Sequence, residues 1–166
     1  MTSIIKVNNI QNSSGTNYNF IKQVKQSILS TATSTTNTSF TDTGLQVVIT
    51  PSSTSSKILL MSNGLLSSGN GWFQAVTLDR NGTNIGVTVT EGASFPGILM
   101  YMHTDPGNGL VQNFQFTFLD SPSSTSALTY KLQHAVQSGG TSYIGRRSND
   151  TNIMCPTFLT GMVVAG

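Results

Sequence analysis

An all-β fold, a jelly-roll-like antiparallel β-sandwich, is what this sequence predicts, on three observations. Apolar and polar residues alternate along much of the chain, the period of a strand with one buried face. Turn signals built from Gly, Pro, Asn, Asp and Ser recur about every 8 to 12 residues, the spacing of sandwiches and related architectures. Only 8% of the 166 residues are charged while 37% are hydrophobic. Ser, Thr, Asn and Gln must therefore supply the polar surface of a chain that still has a core to bury.

The elements follow in order. Residues 1–19 hold Ile4, Ile5, Val7 and Ile10 and then a polar turn, QNSSGTN. Their apolar spacing is too short to build a core alone, so they are expected to be an arm that anchors the chain to something else. The sandwich is expected over residues 20–166. In FIKQVKQSILS, Phe20, Val24 and Ile28 fit helical spacing, but their even separations also place them on one face of a strand. The Ser/Thr-rich tract that follows favours a strand with a ragged polar continuation. LQVVIT, ended by Pro51, is a strand, and KILLMSNG is a second run that ends in Asn63-Gly64. WFQAVTLDR and TNIGVTV flank Asn81-Gly82, a strong hairpin signal because Asn and Gly accept the positive φ of a type I′ turn. Phe95 to Met102 forms another apolar run, closed by Asp105-Pro106-Gly107.

Strict alternation marks the second half. Phe114, Phe116 and Phe118 lie on one face of a strand, to be buried in the core or against another subunit. Leu128, Tyr130, Leu132, His134 and Val136 share a face of the next strand, with Lys131, Gln133 and Gln137 opposite. Gly139-Gly140 turns into TSYIGRR, and TFLTGMVVAG is an apolar run suited to a central strand.

Composition also limits function. Ordinary soluble domains carry about 25% charged residues, and catalytic acids, bases, metal ligands and phosphate clamps come largely from the types scarce here. A net charge of +2, with no basic stripe beyond Arg146-Arg147, argues against a nucleic-acid partner. Apolar runs of only about four or five residues are far short of the roughly 20 a membrane helix needs, so no membrane insertion is expected. The opening residues lack a basic segment followed by a long apolar run, so no secretory route is expected. The single cysteine, Cys155, has no internal disulfide partner and is expected as a buried thiol.

No reactive constellation emerges. His134 lies among apolar residues of a strand and reads as a core or interface histidine, and His103 as a loop residue. There is no Gly-x-Ser-x-Gly elbow, no cluster of Cys and His for zinc and no calcium-loop spacing among the aspartates. Glu91 is the only glutamate, which leaves a depolymerase short of paired carboxylates. The chain is expected to be non-enzymatic and to need no cofactor or resident metal. Surface contacts with a host glycan or protein are the remaining candidates. Trp72 follows a Gly-rich turn and could stack on a sugar or pack inward beside Phe73; Tyr143, Arg146 and Arg147 form a second candidate patch on a late hairpin.

Three stretches resemble a known family. SFTDTGLQVVITPSSTSSKILLMSNG, residues 39–64, is similar to the opening of the distal β-rich domain of tail-fibre-like proteins of tailed bacteriophages, especially aquatic ones. FLDSPSSTSALTYKLQHAVQSGGTSYIGRRSNDTN, residues 118–152, is similar to its second half, where an Asp-Ser-Pro … Thr-Tyr-Lys-Leu-Gln strand precedes a Gly turn and a Tyr-Ile-Asn-Arg hairpin. IIKVNNIQNSSGTN resembles the leader of many such fibres. Gly145 stands where the family has Asn, Arg147 adds a charge, and the ending MVVAG lacks the family's Glu.

The resemblance implies a homotrimeric jelly-roll-like head on the virion surface, assembled in the host cytoplasm, with no catalytic residues to carry over. It implies attachment to other virion proteins through the arm and a role in host adsorption as a tail-fibre or receptor-binding head. The shortness of the chain keeps a second expectation open, a trimeric capsid decoration (cement) protein. A cellular lectin-like or cytokine-like module is the rival from another class.

Overall fold

Strands account for all the extended regular structure in the computed structural model, which describes residues 13, 14, 20–69, 73–87, 97–103, 111–148 and 150–165. In chain order they are β1 (Ile21–Leu29), β2 (Thr33–Thr35), β3 (Thr41–Ile49), β4 (Lys57–Gly69), β5 (Phe73–Arg80) and β6 (Thr83–Asn84). β7 (Met100–His103), β8 (Val111–Asp120), β9 (Leu128–Val136), β10 (Thr141–Ile144) and β11 (Thr157–Val164) complete the set. The anchor candidates Ile4, Ile5, Val7 and Ile10 lie outside the described residues, as does Trp72.

All pairings between these strands are antiparallel, and they form two sheets. In the first, β10 and β11 lie end to end along one side of β4, because Ile144 pairs with Leu66 and Phe158 with Asn63. β2 and β1 continue outward from them in the same end-to-end manner. β8 runs along the other side of β4. This sheet is thus four strands wide, in the order β1/β2, β11/β10, β4, β8. The second has the order β3, β9, β5, and then β6 and β7, which share the outer side of β5. The chain passes from the first sheet to the second at β3, returns at β4, and crosses again at β5, β8, β9 and β10. Two four-wide sheets wound in this way are a jelly roll.

The core is what alternation demands. Leu60, Phe114 and Leu159 from the first sheet meet Leu78, Tyr130 and Leu132 from the second, all fully buried. Leu128, Tyr130, Leu132, His134 and Val136 are all buried, while Lys131 and Gln133 on the other face are only partly so. Phe114 and Phe116 are buried in the same cluster and Phe118 packs against it. The three phenylalanines therefore lie between the sheets.

The Asn81-Gly82 turn forms with φ of 51° and 87°, both positive as a type I′ hairpin requires. The second Asn-Gly behaves differently. Asn63-Gly64 is not a terminus but the middle of the thirteen-residue β4. Gly64 is needed there for space: a Cβ would sit 2.5 Å from Thr157 Oγ1 and 2.9 Å from the Phe114 ring. Two more expectations need correction. His103 is the last residue of β7 rather than a loop residue, with its ring 4.6 Å from that of Phe73. Cys155 is exposed, not buried. It lies on an excursion between β10 and β11, where its N–H donates to the Gly145 carbonyl at 3.0 Å and the side chain is left outside the sheet.

Candidate interaction surfaces

Two buried polar clusters tie the sheets together, one towards each end of the sandwich. At one end Asp120, the last residue of β8, accepts two hydrogen bonds from Arg80 Nη1 at 2.7 and 2.8 Å and one from Tyr130 Oη at 2.7 Å. Arg80 and Tyr130 belong to the second sheet, so this carboxylate ties the two sheets together. Burial, and then the bond to Asp120, push the Tyr130 phenol well above its ordinary range, keeping it a neutral donor.

At the other end His134 Nδ1 lies 3.0 Å from Ser142 Oγ. Gln74, with its amide turned to satisfy its neighbours, donates to Ser142 Oγ and to the Ser67 carbonyl, each at 2.8 Å, and accepts from Ser68 N–H at 3.1 Å. With Ser142 accepting from Gln74, its hydroxyl hydrogen is free to donate to an unprotonated Nδ1. Burial pushes His134 from 6.5 down to about 4, so it is neutral near pH 7. His134 is 1% exposed and Ser142 0%. No substrate reaches this pair, so it is a sheet-to-sheet tie and not a nucleophile with its base. Among the described residues no three of His, Cys, Asp and Glu gather as a metal site, and no helix is long and apolar enough to cross a membrane.

The remaining candidate contacts lie on the outer surface. The structure brings Tyr143 and Arg146 together: the guanidinium carbon lies 4.3 Å from the ring centroid, a cation–π contact. Arg147 turns elsewhere and pairs with Asp150 three residues on. Its backbone N–H donates to the Ile153 carbonyl, which closes the excursion into a small hairpin. Only Tyr143 and Arg146 of the predicted patch therefore touch each other.

The outer faces of the two sheets differ sharply. On the second sheet, Asp42 accepts from Lys131 Nζ at 2.6 Å and Gln133 Nε2 at 2.7 Å. These two bonds, Gln133's first, hold the Asp42 carboxyl below its ordinary range. Ala75 and Ala135 are buried beside them under Phe40 and Ile98. Thr77 donates to the Gly97 carbonyl at 2.6 Å. Apart from Val48, 48% exposed on β3, that face is covered or charged, as a solvated surface should be.

The outer face of the first sheet carries an exposed apolar row, flanked by uncharged polar residues. Register places Val24, Met162, Leu59 and Leu119 side by side in one row across all four strands. Ile21 and Val164 form part of the row on one side, which ends at Lys57. Beyond Gln26, Thr160, Met61 and Thr117 on the other side, Ile28 and Phe158 are followed by Asn63 and Gln115. Ile21, Val24, Ile28 and Leu119 are each 52–56% exposed. A shallow groove of ≈ 310 Å³ runs along this face, lined by Met61, Ser62, Asn63, Gln115 and Thr160.

Sequence reasoning did not single out this surface, although two signals for it existed. KILLM and GMVV are apolar at consecutive positions, the mark of strands covered on both faces. Val24 and Ile28 do share a strand face, but β1 turns it away from the core; Phe20 precedes β1, and a register shift between Ile21 and Gln23 breaks the even spacing that would have joined it to them.

No family model matches the chain, and no curated protein does either. Among solved structures it is similar to a chain of infectious bursal disease virus Gx strain, at 10% identity and a TM-score of 0.42, over 96% of this chain and 44% of that one. A chain of the Gt strain of the same virus aligns at 9% identity and 0.41, over 98% and 43%. A chain of the T13 IBDV viral particle aligns at 10% and 0.40, over 96% and 41%. The chain thus spans less than half the length of each of these.

Proposed function

We propose that this chain is a non-enzymatic structural protein of a tailed-phage virion, and that its jelly roll is the head of a trimeric tail fibre used in host adsorption. The observation that carries this reading is where the family-like residues fall. Residues 39–64 supply β3 and the first part of β4, and residues 118–152 supply the end of β8, then β9 and β10. The Asp-Ser-Pro and Thr-Tyr-Lys-Leu-Gln pieces bring Asp120 and Tyr130 into the bond that ties the sheets together. The resemblance thus extends to the residues on which the sandwich depends, beyond a shared taste for Ser and Thr.

In this reading the arm, residues 1–19, attaches the chain to other virion proteins and the sandwich displays loops outward. Tyr143 and Arg146, held together on the surface with the guanidinium over the ring, suit a host glycan through the hydrogen-bond donors of the guanidinium and the phenol hydroxyl. A trimer multiplies such weak contacts into avidity.

Quantitative mass spectrometry of purified virions, with immunogold labelling, tests the assignment. A few dozen copies at most, labelled on the tail, are expected. Hundreds of copies over the head would establish the capsid decoration role instead, and absence from virions would remove both.

A further inference from the structure

We propose that the outer face of the sheet β1–β11–β4–β8 is the surface through which copies of this chain pack on one another. This names the contact of the assembly suggested above and rests on that reading only for the existence of an assembly. The first argument is register. A strand with one buried face turns its apolar set inward, and a slip of one residue reverses the arrangement. β1 does the reverse of what a solvated edge strand should do. It points Ile21, Val24 and Ile28 outward, while Gln23, Lys25 and Ser27 take the side toward the second sheet. β4 and β11 carry apolar residues on both sides. Four strands agreeing on an outward apolar row describe a face meant to be covered.

The second argument is area. Ile21, Val24, Ile28 and Leu119 are each more than half exposed, and Met162 and Leu59 lie between Val24 and Leu119 in the same row, so the apolar surface is contiguous. Contiguous apolar patches of a few hundred Å² on soluble monomers mark interaction sites. A standard interface takes about 800 Å² from each partner, roughly 57% of it non-polar, so a patch of this kind supplies a large part of its apolar share.

The third argument selects a second copy as the occupant. The rows that register defines contain one charge, Lys57, at the rim. An uncharged apolar surface can face its own copy without like-charge cost, and a symmetric assembly requires such self-complementarity. On the β1 edge of the sheet Lys22 and Lys25 oppose strand-to-strand addition, so the apolar row beside that edge is covered by packing face to face.

Light scattering on the size-separated full chain is the test. The wild type is expected at a multiple of 17.6 kDa. Val24→Glu combined with Leu119→Glu, at both ends of the central row, is expected at the monomer mass, with unchanged far-UV circular dichroism and melting. Ile28→Glu alone should weaken association at least tenfold. Val48→Glu, on the outer face of the opposite sheet where Val48 is 48% exposed, should leave the mass unchanged. An assembled double variant overturns the choice of face but leaves a trimeric head standing. A monomeric wild type at about 50 μM, typical of weak micromolar association, overturns both; it would mean that the arm or another protein covers the face.

Discussion

Asp120 shows how a chain poor in charge uses the few it has. One carboxylate accepts from Arg80 and from Tyr130, and its side chain is only 10% exposed. Removing it strands a cation and a phenol, so Asp120→Ala should cost about 3 kcal/mol or more. Tyr130→Phe, which removes one bond and leaves the pair intact, should cost about 1–2 kcal/mol. Urea unfolding of the two variants checks the order. His134 gives the fold a pH dependence with a definite sign. Its folded value lies near 4, below the unfolded 6.5, because burial disfavours the charged ring. The unfolded chain therefore binds the proton first, and stability falls as pH drops from about 6.5 to about 4. A shift of that size amounts to about 3 kcal/mol. His134→Gln should be less stable near pH 7 yet lose less on acidification to pH 4.5, as read from melting curves.

At the scale of elements, alternation made the strands legible. β8 and β9 were readable residue by residue, since Phe114, Phe116, Leu128, Tyr130 and Leu132 are all buried as the period requires. The Asn81-Gly82 turn was readable too, because two positive φ angles leave few other residue choices. Asn63-Gly64 was not. The same dipeptide stays extended there because β11 and β8 pair with it on either side, and those partners are remote in sequence. The tight meeting of β4 and β11 has a second consequence. Thr157 Oγ1 is buried with no hydrogen-bond partner among the described residues. Thr157→Val should therefore stabilise the fold by about 1 kcal/mol, since an unsatisfied hydroxyl becomes a methyl group of the same shape. A rise in melting temperature of a few degrees would show it.

At the scale of the whole molecule, little depends on long-range electrostatics. The Asp42–Lys131 pair is exposed on both sides, and solvent screening leaves it little weight in stability. Assembly through an apolar face should accordingly survive 1 M NaCl, where the Debye length is about 3 Å. Ammonium sulfate should strengthen it through exclusion from apolar surface. Sedimentation of the full chain across a salt series reads both, and dissociation by NaCl would mean that charge holds the copies together. The candidate site was only partly visible beforehand. Tyr143 and Arg146 do meet, but Arg147 is drawn to Asp150 on the excursion. Adjacent sequence positions cannot say which of two arginines a loop will turn inward.

What the sequence determined by itself was local: which segments extend, which residues share a strand face, and how few groups are available for chemistry. Those are consequences of a two-residue period and of composition, and neither depends on distant partners. Only the tertiary structure decided which way each face points. β1 carries an apolar set that could have turned inward, and its register with β11 sends that set outside. Strand pairing fixes side-chain direction across the whole sheet at once, so the row Val24, Met162, Leu59 and Leu119 exists only when four segments far apart in the chain come together.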